Sequence, residues 1–226
     1  MQNPWQDIVT YPLGQRKRKP RDKGLTMVID KGMGIDELRN LFEISGEYID
    51  YLKLGFGTSV LYSKSLLADK LLLCNRYHVE AYPGGTLMEV AYIQGRFMAY
   101  LERAKELGFK TIEISDGTIH LDENMRQYCI KSAVKEGFTI LTEIGKKSPE
   151  ESPHINDLLV LAEKDLAAGA WKVILEARES GKGIGAYDKN GQIIEEIIKT
   201  ISQNANVVDN IIWEAPLKNQ QFELIC

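Results

Sequence analysis

The chain has 226 residues, 44% hydrophobic and 27% charged, enough to bury a full core, and one large domain is the default. A net charge of −4 argues against a protein that works by neutralising a phosphate backbone, so nucleic acid is not an expected partner. Three widely spaced cysteines (Cys74, Cys129, Cys226) form no CxxC pair and suit neither a disulfide framework nor a zinc site. No apolar run reaches bilayer length and the opening stretch lacks a secretory signal, so the expectation is a cytoplasmic protein with no membrane partner.

In chain order, residues 1–23 read as an N-terminal extension and 24–226 as a single barrel domain. The basic run Arg16–Lys19 with Arg21 reads as a solvated face, the alternative being closure over a bound anion. Seven strands follow, expected at Leu25–Asp30, Ile49–Leu54, Tyr77–Tyr82, Thr111–Ser115, Phe138–Glu143, Lys172–Glu176 and Val208–Glu214. Between them lie amphipathic helices such as Ile35–Ile44, Asp122–Glu136 and Ile155–Ala168. In the last, Ile155, Leu158, Leu159, Ala162 and Leu166 recur three and four apart. Gly108, Gly137 and Gly169 each end a helix immediately before a strand, the position where a glycine cap tolerates positive φ. The stretches 181–185 and 188–191 read as loop, and the tail from Ile193 as helix.

Alternating strands and helices predict a parallel sheet, and the parity of charge within the strands favours a parallel (β/α) barrel over an open sheet. Glu113 shares a face with Thr111 and Ser115, against Ile112 and Ile114. Glu176 and Arg178 share one with Lys172 and Ile174, Lys53 with Tyr51, Glu214 with Ile212, and Asp30 with Thr26 and Val28. Bulky faces are expected to meet helices and charged faces to line the barrel, with Trp171 and Trp213 among the helix-packing residues. Buried charges persist only if they pair, bind a metal or meet a ligand. Internal salt bridges are therefore the alternative to a ligand site. His78, His120 and His154 show no metal-ligand spacing and the cysteines read as packing residues.

The segments after the strands set glycine beside charge: DKGMG (30–34), KLGFGTS (53–59), YPGGTL (82–87), EISDGT (113–118), TEIGKK (142–147), EARESGKGIG (176–185) and WEAP (213–216). Glycine lets a backbone approach a ligand and present N–H groups to an anion. Together these strings, from about Gly24 to Pro216, resemble the phosphosulfolactate synthase family. The resemblance implies a TIM-type barrel, Mg²⁺ dependence, lyase-class addition of sulfite to phosphoenolpyruvate, and a homo-oligomer, a trimer being one form. Attack on carbon 3 drives electrons toward the carboxylate, which calls for a metal and an acid. The resemblance points to Lys147 as proton donor, with Lys146 beside it as confounder. Asp30, Glu113, Glu143 and Glu176 are the candidate metal ligands, the alternative being pairing with Lys53, Lys172 or Arg178. Lys53, Arg178, Lys182 and the amides of Gly84 and Gly85 are the candidate anion-binding groups.

Family members continue past the WEAP string through an eighth strand, whereas this chain stops at Cys226, so the eighth unit is expected to be missing. Two other functions remain open: a Schiff-base aldolase or lyase using Lys53 or Lys172, and a non-catalytic relative of the plant heat-stress type.

Overall fold

A computed structural model describes residues 4–5, 7–9, 17–145, 154–178 and 180–225. Its strands are β1 (Met27–Asp30), β2 (Tyr51–Leu54), β3 (Glu80–Pro83), β4 (Thr111–Ile114), β5 (Thr139–Ile144), β6 (Lys172–Leu175) and β7 (Ile211–Trp213). All pair in parallel and in chain order, β1-β2-β3 in one sheet and β4-β5-β6-β7 in another, with β3 and β4 side by side. Parallel neighbours need a crossover, which the helices α1 (Ile35–Ser45), α2 (Lys64–Arg76), α3 (Gly85–Ile93), α4 (Phe97–Leu107), α5 (Glu123–Lys135), α6 (Ile155–Ala168) and α7 (Glu195–Gln203) provide. A further helix, α8 (Lys218–Ile225), follows β7.

Two predicted strands start three residues late, and those expected from Leu25 and Ile49 start two residues late. Tyr77 caps α2 and His78 takes φ 53, so β3 begins at Glu80; Val208–Asn210 form a 3₁₀ turn, so β7 begins at Ile211. The capping glycines adopt the left-handed conformation expected of them, with φ 93, 91 and 114 at Gly108, Gly137 and Gly169. Ser63 and Asp122 begin α2 and α5 by accepting the Leu66 and Met125 amides.

The apolar residues sort into an inner and an outer layer. Outside, Leu158, Leu159 and Ala162 of α6 bury their face against Ile144, Val173 and Leu175 of β5 and β6. Each such leucine contributes ~1.5–3 kcal/mol when fully covered. Inside, Met27, Tyr51, Tyr82, Leu141, Ile174 and Ile212, from β1, β2, β3, β5, β6 and β7, meet in one cluster. Strands that far apart in order share a cluster only when both sheets curl around a common interior. The fold is a parallel α/β barrel of the TIM type.

Trp171 and the residues of β1 depart from the parity reading. Trp171 packs on the inner cluster, its ring centroid 6.0 Å from that of Tyr51, because it precedes β6 and is released from strand alternation; Trp213 packs on the outer layer as expected. On β1 the inner position belongs to Met27, and Val28 packs with the outer layer. Asp30, two residues beyond Val28, therefore points toward α2, where Lys70 Nζ lies 2.5 Å from its carboxylate.

Candidate active site

Alternation along the strands carries a charged group inward from β2, β4 and β5, and from the residues just beyond β6 and β7. Lys53 Nζ lies 2.5 Å from Glu143, 3.1 Å from Glu113 and 3.2 Å from Glu214, all four residues buried. One ammonium thus touches carboxylates from three other strands or their ends, at the C-terminal side of the barrel. Glu176 joins them: ligand atoms of Glu143, Glu176 and Glu214 all lie within 4.8 Å of one another. Among the described residues, four buried carboxylates meet the one ammonium of Lys53.

That imbalance shows in the acidities. Burial pushes the Glu176 carboxyl up to about 10, reinforced by the negative charges of Glu143 and Glu214 and by a hydrogen bond to Glu143, while Lys53 opposes the rise. Burial likewise lifts Glu113 to about 7, against Lys53 and with Glu143 adding to it. Burial would depress the Lys53 ammonium, but Glu113, Glu143 and Glu214 outweigh it and hold the lysine well above its ordinary value. A hard divalent cation takes oxygen ligands, and these carboxylates offer them within reach of one another, so the donor set fits such an ion.

The surroundings fix the array. Glu113 accepts the Gly85 amide at 2.7 Å, and a Cβ on Gly85 would collide with the Ser115 side chain and the Glu113 carboxylate. Fully buried Glu89 of α3 accepts the amides of Gly117 and Thr118 at 3.0 and 2.9 Å and the hydroxyls of Ser115 and Thr118. It thereby ties down the turn after β4. Arg126 of α5 donates to the Glu143 carbonyl at 3.0 Å and pairs with Asp165 at 2.6 Å and Asp116 at 3.0 Å. Glu214 also accepts the Ala177 amide at 3.1 Å.

A sequence model described as (2R)-phospho-3-sulfolactate synthase (ComA) matches residues 14–226. The chain belongs to this family. Phosphosulfolactate synthase of Methanothermobacter thermautotrophicus is 43% identical over 97% of this chain and 84% of its own length. The synthase of Methanocaldococcus jannaschii is 40% identical over 90% and 81%. That of Bacillus subtilis is 31% identical over 91% and 81%. Among solved structures, CutC of Streptococcus agalactiae superposes with a TM-score of 0.57 at 14% identity, covering 89% of this chain and 92% of that one. A 3-hexulose-6-phosphate synthase gives 0.50 at 12%, covering 80% and 76%; both speak to the fold alone. As a member of this synthase family the chain is an enzyme with small-molecule substrates.

Of the residues named from sequence, the barrel gathers Lys53, Glu113, Glu143 and Glu176 and sets Asp30 apart. Asp30 accepts the amides of Gly32 and Met33 at 2.8 and 2.7 Å besides its bond to Lys70, so it shapes the loop after β1 and is withdrawn from the carboxylate cluster. The Gly84 amide is spent on Leu54 O at 3.0 Å and the Gly85 amide on Glu113, which leaves neither for a substrate oxygen. Lys53 likewise faces carboxylates where an anion was expected. Arg178, with φ 57, and Lys182 are exposed in the loop after β6. Lys147, with its neighbour Lys146, lies outside the described residues.

Lys172 sits at the opposite end of the barrel, bonded to Asp209 O at 2.8 Å and Asn210 Oδ1 at 2.9 Å. Lys19 and Arg21 are at that end too, Lys19 on the carbonyls of Gly46, Tyr77 and His78 and Arg21 on Asp50, so neither is a solvated face nor a cover for the mouth. Sequence reasoning did not choose Glu214 as a ligand although its parity with Ile212 was legible. Glu89 carried a signal as well, an acid inside the apolar helix GTLMEVAYI.

Proposed function

We propose that this enzyme adds sulfite to carbon 3 of phosphoenolpyruvate and releases (2R)-phospho-3-sulfolactate, a carbon–sulfur bond formation of the lyase class. The observation that carries the reading is the convergence of Glu143, Glu176 and Glu214 to within 4.8 Å in the barrel mouth of a chain from this family. These three carboxylates hold Mg²⁺, with Glu113 beside them. When bound, the cation supplies positive charge where negative charge develops on the substrate's carboxylate. Lys53 keeps the carboxylates together and limits their repulsion. Arg178 and Lys182 hold the phosphate and the incoming sulfite.

In the reaction the sulfur lone pair of sulfite forms the new bond to carbon 3. The former double-bond electrons move toward carbon 2 and its carboxylate, and carbon 2 then takes a proton from the ammonium of Lys147. No bond to the enzyme forms. An imine would require an unprotonated amine, and the raised basicity of Lys53 opposes one at that residue. The reading includes a homo-oligomer and a cytoplasmic location, the latter in keeping with the free buried thiols of Cys74 and Cys129.

The test is an assay of phosphoenolpyruvate plus sulfite with and without Mg²⁺, repeated with Lys147→Ala. Activity should require the cation, and the variant should lose about two or more orders of magnitude in kcat. Product formation without a divalent cation, or an unimpaired variant, would remove the corresponding part of the proposal. Borohydride treatment during turnover should trap no adduct.

A further inference from the structure

A carboxamide offers two N–H donors and one carbonyl oxygen, and Gln220 of α8 is fully buried with all three engaged. Its Nε2 donates to Gly181 O at 2.7 Å and to Gly191 O at 3.0 Å, while Oε1 accepts the Leu217 amide at 3.0 Å. The two glycine carbonyls belong to separate turns of the long loop after β6. One turn is closed by the Gly181 amide on Arg178 O at 3.2 Å, the other by the Gly191 amide on Asp188 O at 2.9 Å, and the Gly183 amide joins them through Asp188 O at 2.8 Å. Packing there leaves no slack: Gly181 has φ +61, and a Cβ on it would stand 2.8 Å from Gln220 Nε2 and 2.9 Å from Pro216 Cγ.

We propose that Gln220 is a positioning residue that clamps both turns of this loop to α8 and thereby holds Arg178 and Lys182 at the barrel mouth. The part concerning substrate rests on the reading of those two cations as anion-holding groups. The chemistry selects the carboxamide. A glutamate in its place would turn a carboxylate toward two carbonyl oxygens, and a methionine would strand the Gly181 carbonyl and leave Gly191 O with the Asn219 side-chain amide at 3.1 Å.

The test compares the full-length wild type with Gln220→Met and the near-isosteric Gln220→Glu, by hydrogen exchange and by steady-state kinetics with Mg²⁺. Exchange over residues 181–192 should quicken about tenfold in either variant, while that of α5 stays unchanged. KM for phosphoenolpyruvate should rise by about tenfold with kcat changed less than about twofold, the pattern of lost binding. Unchanged loop exchange in a folded variant, or equal acceleration in α5, overturns the clamp. An Arg178→Ala/Lys182→Ala double variant separates the two ideas. If its KM stays at the wild-type value while the loop of Gln220→Met exchanges faster, the anion-holding reading falls and the clamp stands.

Discussion

At the N-terminal end of the barrel Arg21 lies 2.7 Å from Asp50, Lys19 spends its ammonium on three carbonyls, and Lys172 is held by Asp209 O and Asn210. At the C-terminal end Glu113, Glu143, Glu176 and Glu214 gather about Lys53. Both ends are rich in charge, and the first also carries a half-open pocket of about 330 Å³ lined in part by Lys19, Arg21, Asp50 and Glu80. Space and charge alone therefore do not mark the site. What separates the ends is balance: cations matched to acceptors at one, an excess of buried carboxylate at the other, stable only with protons or a cation to offset it.

The contrast can be broken most severely at the carboxylates. Replacing Glu143 or Glu214 by alanine should weaken Mg²⁺ affinity by about 100-fold or more, since even partners behind metal ligands are worth ~10–100-fold. Isothermal titration with Mg²⁺ checks this, and an unaltered affinity would exclude the residue as a ligand. Next in size is Lys53→Met. It leaves its carboxylate partners without their ammonium and should lower unfolding free energy in urea by about 3–5 kcal/mol, with Mg²⁺ restoring more stability to the variant than to the wild type.

The carboxyl pKa values sharpen the comparison further. In cation-free protein the folded state keeps protons on Glu113 to about pH 7 and on Glu176 to about pH 10, whereas the unfolded chain releases them near the ordinary value of 4.5. The stability these protons confer is therefore full below pH 4.5 and is lost as pH rises through those two values. Saturating Mg²⁺ should flatten the decline, and its binding at pH 8 should release about one proton per chain. A pH-independent melting curve without metal would contradict the protonated cluster. The smallest effect belongs to the opposite end. Lys172→Met should keep kcat/KM within about twofold, as expected of a substitution remote from the chemistry. A large loss there would revive Lys172 as an imine-forming residue.

Much of the barrel was legible because local patterns and the global fold agree. The seven strand cores follow the short apolar runs, Gly108, Gly137 and Gly169 end helices, and the inward parity of Lys53, Glu113, Glu176 and Glu214 carries over from sequence to space. Parity misled at Asp30 and Trp171. Strand alternation says that two residues share a face, but which face is inner depends on what each neighbouring layer offers. On β1 the inner layer took Met27, and α2 supplied Lys70 to neutralise Asp30.

The amino-acid order by itself determined the succession of parallel strands and helices, the family strings and the alternation of charge, since each depends on residues within a few positions of one another. Only the tertiary structure decided that Glu214 completes the carboxylate cluster, that the Gly84 and Gly85 amides are already bonded, and that Gln220 reaches back across 39 positions to Gly181. Those outcomes depend on the curl of two sheets into one interior, which brings distant strand ends together and is set by packing summed over the whole barrel.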